Sequence, residues 1–166
     1  MVLFPEEFNL SRSLRKTIRH KGFTTRLDHA FGATIRACAG PRRSGPETWL
    51  NGDMIQAYEQ LFELGYGHSV ETYSGDVLVG GLYGIRLGGI FFGESMFSRV
   101  GDASKVAMAR LVDECRARDI RLIDCQVASS HLASLGAREI SRIEFAGFLR
   151  RLARRMPGDW WAEKPR

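Results

Sequence analysis

Two acids sit where a simple core strand would not carry them: Glu94 in the run GESMFS and Asp124 in LIDCQV. Both runs are apolar enough to be strands, and side chains two apart on a strand share a face. Glu94 should therefore point with Met96, and Asp124 with Gln126. If the two strands are neighbours, two carboxylates, a carboxamide and a thioether meet across one gap. A carboxylate in such a gap suits general-base work or the binding of an ammonium group. The Gln126 carboxamide both donates and accepts, so it can hold a carbonyl or an amine in place. The competing reading is structural: Glu94 and Asp124 pair with nearby arginines such as Arg99 or Arg121. Spacing alone leaves both readings open.

Other reactive side chains carry weaker signals. His68 in GYGHSVE and His131 in SSHLASLGA have no partner at zinc-ligand spacing and read as hydrogen-bonded structural residues. No G-x-S-x-G elbow is present, so a serine nucleophile has no support. The three cysteines, Cys38, Cys115 and Cys125, are odd in number and lack metal-ligand spacing. They read as small hydrophobes in a core, and a reducing compartment fits them best.

The elements that must position Glu94 and Asp124 follow from periodicity and turn residues. Met1 to Leu10 reads as extended. Ser11 caps a short basic helix with Leu14 and Ile18 inward, and Phe23 to Arg26 is a short strand. Asp28 is a plausible cap for a helix burying Ala30, Phe31 and Ile35. A basic loop, PRRSGPETW, then leads to a helix capped by Asp53, with Met54, Ile55, Tyr58, Leu61 and Phe62 on one stripe. Three strands follow, at 67–73, 77–85 and 90–97, and their short Gly-marked turns make them antiparallel neighbours. Asp102 caps a helix that buries Val106, Met108, Leu111, Val112 and Cys115. A strand over 120–127, a helical turn around His131 and a last helix complete the order, the last helix placing Ile140, Ile143, Phe148, Leu149 and Leu152 inward.

That order is α+β, with a helix joining the meander to a strand parallel to the meander's last member. It resembles the acetyltransferase-like (GNAT-like) fold: a mixed, mostly antiparallel sheet with helices on both faces, whose two central strands splay apart to leave a cleft. An acetyl-coenzyme A enzyme of this fold should place a glycine-rich turn at the start of the central helix, where backbone N–H groups hold a pyrophosphate. Here the turn reads SRVGDASK, with the single Gly101 and the acid Asp102, which would oppose a diphosphate.

At 166 residues the length suits one domain, 1–166. No signal-peptide pattern and no run of about twenty apolar residues occurs, so the expectation is a cytoplasmic protein without a membrane partner. The net charge of +5 gathers at the two ends of the chain, in Arg12, Arg15, Lys16, Arg19, Lys21 and Arg26 with Arg42 and Arg43 following, and in Arg138, Arg142, Arg150, Arg151, Arg154 and Arg155. Two basic ends suit a polyanion such as nucleic acid, or else are simply solvated helix faces.

The run HSVETY, LVGGLYG, FFGESMFSR, ASKVA, LIDCQV, HLASLGAREISR resembles the leucyl/phenylalanyl-tRNA–protein transferases, from Ser11 to the C-terminal helix. GESMFS followed by DCQ and then H-x-x-S-L-G-A is a highly specific set. The resemblance implies a catalytic aminoacyltransferase domain of GNAT-like fold, using no metal and no small cofactor. Such an enzyme moves leucine or phenylalanine from leucyl- or phenylalanyl-tRNA to proteins or peptides with N-terminal Arg or Lys, marking them for the bacterial N-degron pathway of protein degradation. By position, Asp124 matches an acid proposed to assist the attacking amine as base or by orienting it, with Gln126 beside it, and Glu94 matches an acid near the acceptor's N-terminus. Leu82, Phe91, Met96, Met108, Leu111 and Ile123 match the pocket for the donor's side chain, although by pattern alone they would be plain core. Trp49 matches a tryptophan that stacks on the terminal adenine of the tRNA, and the basic terminal helices would hold its acceptor stem by the phosphates.

Two departures accompany the resemblance. Members typically carry a small N-terminal domain with a second, adenine-flanking tryptophan, so the expectation is a short form. Phe92 stands where a smaller residue can stand, and is expected to trim the cleft. Two alternatives follow: a small N-acyltransferase with another acyl donor, or a non-catalytic binder of aminoacyl-tRNA or of basic N-termini.

Overall fold

The computed structural model describes residues 1–40 and 50–153. Its strands are β1 (Val2–Leu3), β2 (Phe23–Leu27), β3 (Gly67–Ser74), β4 (Val77–Leu87), β5 (Ile90–Ser98) and β6 (Leu122–Asp124). Its helices are α1 (Arg12–His20), α2 (Phe31–Cys38), α3 (Gly52–Glu63), α4 (Ala103–Ala117), α5 (Ser130–Ser134) and α6 (Arg142–Leu152). One six-stranded sheet runs β1-β6-β5-β4-β3-β2, antiparallel throughout except for the β5–β6 pair. The parallel pair arises because α4 carries the chain back across the sheet between β5 and β6, as a crossover must.

Alternation along the strands divides the core into two faces. Val70, Leu82, Phe91 and Ile123 pack with Met108, Leu111 and Val112 of α4 on one face. Tyr83 packs with Phe31 and Ile35 of α2 on the other, while Ile90 and Leu122 meet Phe145, Phe148 and Leu149 of α6 there. Helices therefore cover both faces. Gly80 allows α4 to lie this close: a Cβ at Gly80 would run into Ala103 at the helix start.

The structure corrects several local expectations. Residues 1–10 are not merely extended, because Val2 and Leu3 pair with Asp124 and Ile123 and close the sheet beyond β6. Asn51, not Asp53, caps α3, its side chain accepting the Met54 N–H at 2.9 Å. Asp28 does not cap α2; its carboxylate meets His68 Nδ1 at 2.7 Å and accepts the Ser69 N–H. The orphan N–H groups of His29 and Ala30 at the start of α2 are instead received by the buried Glu71 on β3. Ile143 is 84% exposed, not inward, and Ile18 lies at the surface. The inward face of α1 runs through Leu14 and Thr17, both buried, and that of α6 through Phe145 and Phe148, which pack partly buried against the sheet.

Candidate active site

A bulge and an early strand end build the central cleft. Gly84 pairs with Gly93 and Tyr83 with Ser95, which leaves Glu94 with no opposite residue on β4. One extra residue shifts the face of everything after it. Phe91 and Met96, five positions apart, consequently both pack on the α4 side, while Phe97 turns to the α2 side. The bulge takes Glu94 out of the regular two-residue alternation with Met96, yet both side chains line the cleft. Gly84 is required where the bulge forms, because a Cβ there would strike the Phe92 carbonyl and the Phe91 ring.

On the other bank, β6 is shorter than expected. Its pairing with β5 stops at Phe92–Asp124, and Gln126 enters the left-handed region at φ 57°. Asp124 and Gln126 thus do not continue one strand face. The Asp124 carboxylate accepts the Gln126 N–H at 2.9 Å and fixes this turn. Beyond Asp124 the two banks diverge.

Between them lies a cavity of about 480 Å³, within the usual range for a small-ligand site. All six residues expected of an apolar pocket line it: Leu82, Phe91, Met96, Met108, Leu111 and Ile123. Glu94 and Gln126 line it too, joined by Tyr83, Cys125, Val127, Ser129, His131 and Leu132. Asp124 is not among the lining residues; it stands behind Gln126 as the anchor of the turn. Phe92 does not trim the cleft, because it packs in the α6-side cluster. Trp49 lies outside the described residues.

The carboxylates do not pair with the expected arginines in any hydrogen bond or ion pair found among the described residues. Arg99 donates to the Leu78 carbonyl and Arg121 to Asp119. Glu94 instead accepts the Tyr58 hydroxyl from α3 at 2.9 Å. Burial, and then the negative charge of Glu94, push the Tyr58 phenol well above its ordinary range, so it stays a donor. Sequence periodicity assigned Tyr58 to the core stripe of α3 and could not show its hydroxyl reaching the cleft.

The cleft's thiol is poorly suited to nucleophilic work. Burial, with Asp124 adding to it, pushes Cys125 up to about 12, which keeps it protonated at neutral pH. His68 is buried against Asp28, a hydrogen-bonded structural arrangement. His131 differs: it lines the cavity, and its Nε2 is buried without a hydrogen-bond partner among the described residues.

Two further features bear on ligands. The first turn of α4 carries Asp102 rather than a row of open N–H groups, and Asp102 accepts from Lys105 at 3.1 Å and from the Thr17 hydroxyl. Those contacts, the Lys105 bond above all, hold its carboxyl below the ordinary range, so Asp102 is ionised and paired with Lys105 at the helix start. On α1, Arg12, Arg15, Lys16, Arg19 and His20 line a shallow basic groove. Among the described residues no set of three or more His, Cys, Asp and Glu side chains is placed to hold a metal ion, and no helix is long and apolar enough to cross a membrane.

A mixed sheet splayed between β5 and β6, with helices on both faces, places the chain in the acetyltransferase-like fold class. A predicted acetyltransferase from Clostridium acetobutylicum, solved with acetyl-CoA, superposes with a TM-score of 0.54 over 72% of this chain and 92% of its own, at 12% identity. L-PGS from Bacillus licheniformis superposes at 0.50 over 90% of this chain and 50% of its own, at 11% identity. Within that fold class, the chain belongs to the leucyl/phenylalanyl-tRNA protein transferase family, a family of aminoacyltransferases, whose model matches residues 2–150. A leucyl/phenylalanyl-tRNA–protein transferase of Nitrosospira multiformis is 51% identical over 97% of this chain and 70% of its own length. Those of Cellvibrio japonicus and Chromohalobacter salexigens are 54% and 56% identical, over 89% and 90% of this chain. The chain spans only 63% and 58% of those two relatives' lengths.

Proposed function

We propose that residues 1–166 act as one catalytic domain that transfers leucine or phenylalanine from aminoacyl-tRNA to the N-terminal amine of proteins beginning with Arg or Lys. Cytoplasmic entry of the products into the N-degron pathway is the role the family resemblance implies. The observation that carries the reading is the meeting of six apolar side chains with Glu94 and Gln126 in a single cavity. An apolar pocket lined by two adaptable methionines suits both a branched aliphatic group and a flat ring.

The chemistry asked of the site is modest. The donor is already an activated ester, so holding an amine in line with its carbonyl supplies much of the acceleration. A neutral amine attacks the ester carbon; the C–N bond forms, the C–O bond to the ribose breaks, and a proton passes from nitrogen to the departing oxygen. Gln126, set by the Asp124 turn, donates its side-chain N–H toward the developing oxyanion or accepts from the amine. Asp124 assists through that turn, and Glu94, steadied by Tyr58, attracts the positive charge of a basic N-terminal residue. Trp49 stacks on the terminal adenine, and the α1 groove takes the phosphates of the acceptor stem.

The test is transfer of labelled leucine and phenylalanine from charged tRNA to a peptide with N-terminal Arg, beside the same peptide N-acetylated. Labelling of the free-amine peptide alone is expected. Folded chain that binds charged tRNA and labels neither peptide contradicts the reading and favours a binder.

A further inference from the structure

The transferase reading gives His131, on the cleft wall, no task. His131 lies on α5, a helical turn whose start is fixed by Ser129 accepting the Leu132 N–H. It shares the cavity wall with Met108 and Leu132, yet its Nε2 is buried with no partner among the described residues. A buried polar atom of this kind usually has a water or ligand to satisfy it, because leaving it bare is costly. Burial, and then the charge of Lys105, hold the imidazole below the ordinary histidine range, against the weaker pull of Asp102. Around neutral pH the ring is therefore uncharged, with one nitrogen donating and one accepting.

The position of His131 indicates which part of a ligand it meets. Its charged neighbours, Lys105 and Asp102, belong to the first turn of α4, and Asp102 is tied to α1 through Thr17. His131 thus stands on the side of the cavity nearest α1, whose buried face carries Thr17 and whose outer face carries the basic groove. Glu94 and Tyr58 stand on the β5–α3 bank. On the transferase reading, a sugar–phosphate strand held on α1 would approach the cavity from this side, with its last ribose nearer His131 than the Glu94 bank.

Resting on the transferase reading, we propose that His131 is a substrate-contacting residue that hydrogen-bonds the ribose hydroxyl adjacent to the aminoacyl ester of the donor. The bond fixes the sugar, and with it the ester carbonyl, relative to the amine arriving from the Glu94 side. No proton is transferred in this contact.

The full chain is tested with phenylalanyl-tRNA ending in adenosine or in 2′-deoxyadenosine, acylated at the 3′ oxygen, in wild type, His131→Phe and His131→Gln. In wild type, loss of the hydroxyl should lower kcat/KM about five- to tenfold, the worth of one neutral hydrogen bond. His131→Phe should show the same loss with the normal donor and no further loss with the deoxy donor, and His131→Gln should recover part of both. Additive losses, or a His131→Phe variant at the wild-type rate, overturn the proposal. Should His131→Phe melt below assay temperature, His131→Gln decides: hydroxyl sensitivity equal to that of wild type overturns the proposal, and reduced sensitivity supports it. Wild-type chain that transfers from neither donor overturns the transferase reading itself, and this inference with it.

Discussion

The Tyr58 hydroxyl donates to Glu94 Oε2 at 2.9 Å, which ties helix α3 to the one residue of β5 that has no opposite number on β4. A bulged residue is free to aim its side chain off the sheet's regular faces, and Tyr58 fixes where this one aims. Tyr58→Phe keeps the ring's packing against Tyr83 and removes only the hydroxyl. KM for an Arg-peptide should rise about three- to fivefold with kcat nearly unchanged, as expected for one hydrogen bond that orients a binding group. Glu94→Gln should raise KM further, because it removes the charge. Steady-state kinetics with Arg-peptide as the varied substrate decides both.

Asp124 is predicted to work by shape rather than by taking a proton. Its carboxylate receives the Gln126 N–H and holds a non-glycine residue at positive φ. Asp124→Asn keeps an oxygen acceptor in place and should retain about a third or more of wild-type transfer, whereas Asp124→Ala should lose tenfold or more. tRNA binding should be nearly intact in both. Equal losses in the two variants would instead indicate a base. Single-turnover transfer separates these cases.

Gly84 links the fold to the site. Gly84→Ala places a methyl group against the Phe92 carbonyl at the bulge, where the backbone must move. Stability should fall by about 1–3 kcal/mol, as for other overpacked positions. Transfer by the folded fraction should fall as well, because Glu94 loses its aim. Urea denaturation and activity measured on the same sample check the pair of effects.

Most of the architecture could be read from the sequence, for definable reasons. Glycine turns at 75 and 88–89 and the alternation along 77–98 require antiparallel strands, and the α4 stripe of Met108, Leu111 and Cys115 requires a crossover onto one face. The six pocket residues needed the family resemblance, because their pattern is also that of an ordinary core. A one-residue bulge at Glu94 leaves no mark in a period-two pattern. The turn at Gln126 is equally silent, since left-handed positions usually announce themselves by glycine. Long-range capping was hidden too: nothing local links Glu71 to the N–H groups of His29 and Ala30, forty-odd residues away.

Glu71 gives a pH prediction. Burial chiefly, offset by hydrogen bonds from Ser69 and the α2 backbone, raises its carboxyl above the ordinary range. The folded state therefore holds this proton more tightly than the unfolded state does. The associated stability is fully present below the unfolded pKa, near 4.5, and is lost as pH rises through the raised folded value. Glu71→Gln removes the titration while keeping one acceptor for α2. Over the range from pH 4.5 upward, its melting temperature should fall less with rising pH than that of wild type, by thermal denaturation in matched buffers.

The central claim is that the cavity between β5 and β6 receives the donor's apolar side chain. Its most direct test is competition: the chain is offered leucyl-, phenylalanyl- and aspartyl-tRNA together, with an Arg-peptide as acceptor, and the peptide products are separated by mass. A pocket walled by Leu82, Phe91, Met96, Met108, Leu111 and Ile123 should pass leucine and phenylalanine and reject aspartate by about a hundredfold or more, because a carboxylate there is stripped of water without a partner. Comparable aspartyl and leucyl products would contradict the account.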